Sequence, residues 1–143
     1  MADTLKKRPE FRNIHLLSDV PNYRLPPAGI VSILHRVSGL LMFLLLPFIV
    51  WLFDVSLTSE ISYERFTSAF VAGIGFVPGV LVKLVCLALI WAYLHHFTAG
   101  VRHLIMDATH RVSKEQGKST AIFTLAFSVV LTVLLGAKLF GLY

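Results

Sequence analysis

The sequence predicts an all-α membrane protein with three transmembrane helices and a cytoplasmic N-terminus. Three observations carry that reading. Hydrophobic residues make up 56% of the chain and charged residues 15%, with a mean hydropathy of +0.75; a soluble domain has roughly half and a quarter. The apolar excess falls in long blocks rather than evenly along the chain. Lysine and arginine concentrate in two of the polar segments that separate the blocks. A chain of 143 residues holds about three spans of ~20 residues each with short connections. A separate soluble catalytic domain does not fit, so any water-soluble chemistry is expected on other chains.

Residues 1–29 are polar and mixed, with Arg8-Pro9, Pro21, Pro26 and Pro27. The prolines set a firm start for the first span. That span covers about 30–53 and is apolar apart from Ser32, His35, Arg36 and Ser38 near its beginning. Residues 54–74 form a polar connection with an amphipathic middle, closed by Gly75, Pro78 and Gly79. Span two covers about 80–106, long enough to cross with tilt or to protrude. Residues 107–120 read as a polar loop, and span three covers about 121–142. The only charge in span three, Lys138, lies close enough to the end to snorkel. Lys83 and Trp51 read as anchors at the outer interface. Residues 30–143 thus form one three-helix membrane-anchor domain behind a cytoplasmic segment.

Orientation follows from the basic residues. Lys6, Lys7, Arg8, Arg12 and Arg24 precede span one, Arg111, Lys114 and Lys118 follow span two, and the 54–79 segment carries only Arg65. The N-terminus and the second loop are expected in the cytoplasm. Net charge is +5, but its distribution reads as membrane orientation, and no nucleic-acid partner is expected. Cys86 is the only cysteine, which excludes an internal disulfide or a cysteine-based metal site. The first thirty residues contain no uninterrupted apolar core, so no cleavable signal peptide is expected. Asp3, Glu10 and Asp19 argue against a mitochondrial presequence, leaving a bacterial inner membrane as the simplest location.

The stretch Trp91–Asp107, WAYLHHFTAGVRHLIMD, carries the chemistry. On a helix, His96, Gly100, His103 and Asp107 share one face at spacings of four, three and four. Ionisable groups at membrane depth are costly and usually functional. A neutral imidazole at His96 suits haem iron, and Gly100 lets a flat macrocycle approach the helix. Its propionates find cations in Arg36, His35, Arg102 and His103. The alternative is a His96 that hydrogen-bonds a neighbouring helix; the glycine and the cations favour haem. No second histidine lies at matching depth on another span, so a bis-histidine haem needs a ligand from a partner. His95 is rotated by ~100° from His96 and reads as a helix contact.

Ser32, Arg36 and Gly39 form a second one-face set at four-three spacing. A hydroxyl and a guanidinium at the membrane surface suit a quinone, whose ring arrives from the lipid and whose carbonyl oxygens need donors. A snorkelling Arg36 on lipid phosphates explains the same residue equally well. Asp107 and Arg102 read either as partners that set charge and proton access or as a solvated helix end.

Ser32-Ile33-Leu34-His35-Arg36-Val37-Ser38-Gly39, followed by His96-x-x-x-Gly100-x-Arg102-His103-x-x-x-Asp107, resembles the paired signatures of the cytochrome b556 subunit family of succinate dehydrogenase, respiratory complex II. Arg8-Pro9 and the three-span layout agree, and the resemblance covers nearly the whole chain. It implies a haem b shared with a second small hydrophobic anchor subunit, with one axial histidine from each. It also implies an iron–sulfur subunit and a flavoprotein subunit. On this chain the implied iron ligand is His96, the quinone residues are Ser32 and Arg36, and His35 and His103 lie near the propionates. The implied reaction is succinate oxidation coupled to quinone reduction, within the tricarboxylic acid cycle and electron transport. Glu10 and Phe11 follow Arg8-Pro9 where the mitochondrial form has serine and proline, which favours a bacterial origin. The rival readings are the anchor of a quinol:fumarate reductase, a cytochrome b of another dehydrogenase, a haem-free structural anchor and a transporter component. The single deep histidine position argues against the second, and the lack of a discontinuous helix pair against the last.

Overall fold

The structure is a computed structural model that describes residues 15, 17–19, 22–110 and 113–143. Arg8-Pro9, Lys6, Lys7, Arg12, Pro21 and Arg111, and the acidic Asp3 and Glu10, lie outside the described residues.

Among the described residues five helices follow one another: α1 (Pro27–Leu44), α2 (Leu46–Leu57), α3 (Glu60–Ala69), α4 (Gly79–Thr109) and α5 (Lys114–Leu139). Among the described residues the sole extended pairing is one bridge between Ile74 and Val77. α1, α4 and α5 are each long and apolar enough to cross a membrane. With every backbone bond made inside the segment, a helix is what an apolar stretch can form in lipid.

Local sequence sets the helix ends. α1 starts where Pro26 caps it in an extended conformation and Pro27 takes the first helical position. A proline there gives up an N–H that had no helical partner. The stretch expected as one span over 30–53 is two helices, separated at Leu45. Pro47 explains the break: it has no N–H for the carbonyl of Phe43, and its ring crowds that carbonyl. The path stays helical, because the N–H of Leu45 reaches the carbonyl of Leu41 at 3.0 Å and that of Ile49 reaches Leu45 at 3.0 Å. The amphipathic middle of the next segment is α3, opened by a capping box in which Ser59 and Ser62 each accept the other's backbone N–H.

α4 has 31 residues, which at 1.5 Å per residue is ~46 Å, well beyond a ~30 Å hydrocarbon core. It stops at His110, which adopts a left-handed conformation with φ of 51°. The loop expected over 107–120 is therefore short. Ser113 caps α5 by accepting the N–H of Gln116, and the helix begins at Lys114, seven residues before the apolar run at Ala121.

The three long helices run alternately up and down. His35 near the start of α1 stacks on His96 in the second half of α4. Arg102 near the end of α4 bonds Thr120 near the start of α5. At the other end Lys83 lies 5.6 Å from the ring centre of Phe140, joining the start of α4 to the end of α5. α4 is the central helix, packed on both α1 and α5, and α1 also touches α5.

Small side chains make this packing possible. Val31 of α1, Ala99 of α4 and Ala121 of α5 are fully buried together. On α4 the buried residues Ala92, His95, Ala99 and Arg102 recur at three-four-three spacing; on α5 Ala121, Thr124, Ser128 and Gly136 share one stripe. A Cβ on Gly136 would meet Leu87 Cδ1 at 2.7 Å. Lipid supplies no hydrophobic drive between helices, so close backbone approach and interhelical hydrogen bonds take its place. Large apolar residues such as Phe43, Phe97, Phe123 and Val133 lie on the outside.

Ala99→Leu tests this packing. Overfilling the junction of three helices is expected to cost about 1–3 kcal/mol and to lower the melting temperature of the detergent-solubilised protein. An unchanged melt would place residue 99 outside the packed core.

Candidate functional site

The polar residues of α4 come in two adjacent pairs, His95-His96 and Arg102-His103. Consecutive residues point ~100° apart, and each pair divides between the two neighbouring helices. Arg102 turns toward α5, and His95 hydrogen-bonds α5 from a position that also meets the backbone of Val31 on α1. His95 is fully buried, with Nδ1 3.3 Å from Ser128 Oγ and Nε2 buried without a hydrogen-bond partner. Trp91, one turn earlier, stacks on its ring at 5.6 Å. Arg102 donates from Nε to Thr120 Oγ1 at 3.0 Å and from Nη2 to the carbonyl of Gly117 at 3.2 Å. Only 7% of this arginine is exposed.

His96 and His103 turn toward α1 and meet His35 there. The His35 and His96 rings stack with centres 4.1 Å apart and planes 16° apart. His103 lies 5.4 Å from His35, tilted by 52°. His96 Nδ1 is 3.0 Å from the backbone carbonyl of His35 and 3.3 Å from Ser38 Oγ. Ser38 is itself buried and donates its hydroxyl to that same carbonyl at 2.9 Å. A carbonyl oxygen can only accept. The proton of the imidazole therefore sits on Nδ1, and the lone pair of a neutral His96 sits on Nε2. Nε2 makes no hydrogen bond among the described residues and is not sealed from the surface.

The two glycines near these rings differ. At Gly39 a Cβ would lie 2.9 Å from His96 Cε1 and 3.2 Å from Nδ1, so the ring occupies the space of a side chain. At Gly100 the nearest atom to a Cβ would be His35 Nε2 at 3.7 Å, which is ordinary contact. Gly100 thus has room for a methyl group, with His35 as its neighbour.

On α1 beside this cluster Ser32 is half-buried and Arg36 exposed, while Gly39 faces His96. Asp107 is exposed in the last turn of α4. The structure thus gathers His35, His96 and His103 into one cluster, with Ser32 and Arg36 on the same helix as His35. It does not bring Arg102 to that cluster: its guanidinium is spent on α5.

Ser38 is the participant that sequence reasoning passed over. It stood among the polar residues at the start of span one with no role of its own. A serine three residues after a histidine and buried within a span was the available signal, because such a hydroxyl bonds its own helix and then faces a neighbour.

Comparison with known proteins identifies the family. A family profile described as succinate dehydrogenase/fumarate reductase transmembrane subunit matches residues 5–135. The chain is 30% identical over 118 residues to the succinate dehydrogenase cytochrome b556 subunit of Coxiella burnetii, covering 82% of this chain and 90% of that one. It is 33% identical over 112 residues to the protein of the same name from Paracoccus denitrificans, covering 78% and 81%. The corresponding protein of Rickettsia felis is 26% identical over 113 residues, covering 79% and 82%. With the match spanning most of both partners and three helices able to cross a membrane, the chain belongs to the succinate dehydrogenase/fumarate reductase transmembrane subunit family.

Proposed function

We propose that this chain is the membrane-anchor cytochrome b subunit of a succinate:quinone oxidoreductase in a bacterial inner membrane. In this reading it holds a haem b with a second small anchor subunit and forms part of the quinone-reduction site. The observation that carries the haem assignment is the tautomer of His96. Its Nδ1–H is held by the His35 carbonyl, which orients the ring and leaves Nε2 available, the arrangement that metal-bound histidines use. The half-buried His35 and His103 suit the propionates of a dianionic macrocycle. When bound, haem supplies a one-electron store.

Arg102 is tied to α5 by two hydrogen bonds, so His35, His103 and Arg36 are the residues on this chain for the propionates. Succinate oxidation, on the flavoprotein partner, releases two electrons and two protons. An iron–sulfur partner passes the electrons to the membrane surface, where quinone takes up both electrons and two protons to become quinol. Ser32 and Arg36 donate to a quinone carbonyl oxygen. The guanidinium stabilises the negative charge that develops there as electrons arrive. Asp107, exposed at the same end, serves proton entry. The lysines and arginines before α1 and after α4 support a cytoplasmic position for this end. The membrane dimension matters here: Ser32 and Arg36 stand in the first turns of α1, where a lipid-borne ring and water-borne protons both have access.

Three variants test these roles. His96→Leu is expected to abolish or loosen the haem of the purified complex, read as loss of the b-type band in a reduced-minus-oxidised spectrum. A native low-spin spectrum in that variant would sink the assignment. Arg36→Leu is expected to depress quinone reduction by 10-fold or more, the order of a lost charge-stabilising donor at ~1.5–3 kcal/mol, while succinate oxidation with an artificial dye stays intact. Equal loss of both activities would point to failed assembly instead. Ser32→Ala is expected to raise the quinone KM several-fold, as for one neutral hydrogen bond of ~1 kcal/mol, with haem content unchanged. A normal quinone titration would move Ser32 to a packing role.

A further inference from the structure

Resting on the haem reading above, we infer that α1 fixes the plane of the His96 imidazole, with Gly39 and the stacked His35 ring as the two positioning elements. Three contacts converge on that ring, and all come from one helix. The carbonyl of His35, shared with the Ser38 hydroxyl, holds Nδ1 at 3.0 Å. The His35 ring covers the imidazole at 4.1 Å and nearly parallel. Gly39 takes the edge at Cε1 and Nδ1, where even a methyl group would lie 2.9 and 3.2 Å away.

A hydrogen bond to Nδ1 alone fixes the tautomer but leaves the ring free to turn about that bond. A parallel ring at van der Waals distance removes this freedom. Backbone without a side chain at 39 is what allows the imidazole to come that close to α1. The contact is too short for any other residue unless the ring moves by a few tenths of an ångström. A displaced ring carries its Nε2 lone pair with it, so the direction in which His96 presents that lone pair is set by residues four positions apart on another helix. Gly39 and His35 are positioning residues in this sense, acting on the iron through His96.

The test is the low-spin electron paramagnetic resonance spectrum of the oxidised intact complex, whose g-values depend on the orientation of the axial imidazole planes. Gly39→Ala is expected to keep haem but shift the highest g-value and lower the haem-to-protein ratio. His35→Phe and His35→Leu form a matched pair. Both lose the polar ring nitrogens of His35, while only phenylalanine keeps a flat face against His96. The phenylalanine variant is expected to stay closer to the native g-values, and the leucine variant to shift or broaden them further. Native g-values in Gly39→Ala overturn the inference, as do identical spectra for the two His35 variants. If Gly39→Ala does not assemble, the His35 pair decides. His96→Leu, run alongside, separates the two levels. Haem retained with a native spectrum there sinks the haem reading and this inference together, whereas haem lost there with native g-values in Gly39→Ala overturns the positioning role alone.

Discussion

The approach of α1 to α4 is the constraint on which the polar end of this bundle depends. His96 reaches the carbonyl of His35 only because small residues let the two helices close up: Ala99 one turn below, Gly39 beneath the ring, and Ser38 folded back on its own backbone. A larger residue at any of these points would push the helices apart and break a 3.0 Å contact. In lipid this hydrogen bond matters for packing as well as chemistry. An imidazole N–H left unpaired at membrane depth costs more than it does in water, so the bond that sets the tautomer also holds α1 in register with α4.

The two pairs on α4 show how one helix serves two neighbours. In each pair the first residue joins α5 and the second joins α1. His95 meets Ser128 and Arg102 meets Thr120 and Gly117, while His96 and His103 meet His35. The repeat distance of seven residues is close to two helical turns, so the same division recurs at two levels of the bundle. The α5 side is structural. A nearly buried guanidinium is satisfied by a hydroxyl and by a carbonyl near the start of α5, and it ties the ends of two long helices across a connection of only 110–113. On the α1 side His96 Nδ1 is held by the His35 carbonyl, while its Nε2 makes no hydrogen bond among the described residues.

Much of this was legible in the sequence, and the rest was hidden for identifiable reasons. Hydropathy located the three spans because lipid selects on it directly, and the four-three-four spacing of His96, Gly100, His103 and Asp107 put them on one face of α4. The break at Leu45 was concealed by continuous apolar composition on both sides of Pro47, since hydropathy registers the solvent of a segment and not its hydrogen bonds. The start of α5 at Lys114 was missed for the converse reason. Its first turn is charged and lies beyond the hydrocarbon, where a helix needs only a cap such as Ser113. The direction of Arg102 was not legible at all. Spacing places it one residue from His103, but which neighbour it meets depends on where α5 packs. Gly39 was seen as a member of a face, while its contact with His96 depends on an interhelical distance that no single-helix pattern contains.

The stacked geometry also bears on why the proposed site needs a second chain. The lone pairs of an imidazole lie in the plane of its ring. Two rings stacked face to face at 4.1 Å and 16° therefore direct their nitrogens side by side and not toward a common point between them. His35 cannot oppose His96 across one iron while it covers that ring. His103 meets His35 at 5.4 Å, and His95 is buried and bonded to α5. Among the described residues the histidines near His96 thus support its ring or pack the bundle, and none faces its Nε2. If His96 holds haem as proposed, a second histidine for it would come from a partner chain. The stacking that holds the His96 ring in place is the same contact that keeps His35 from opposing it.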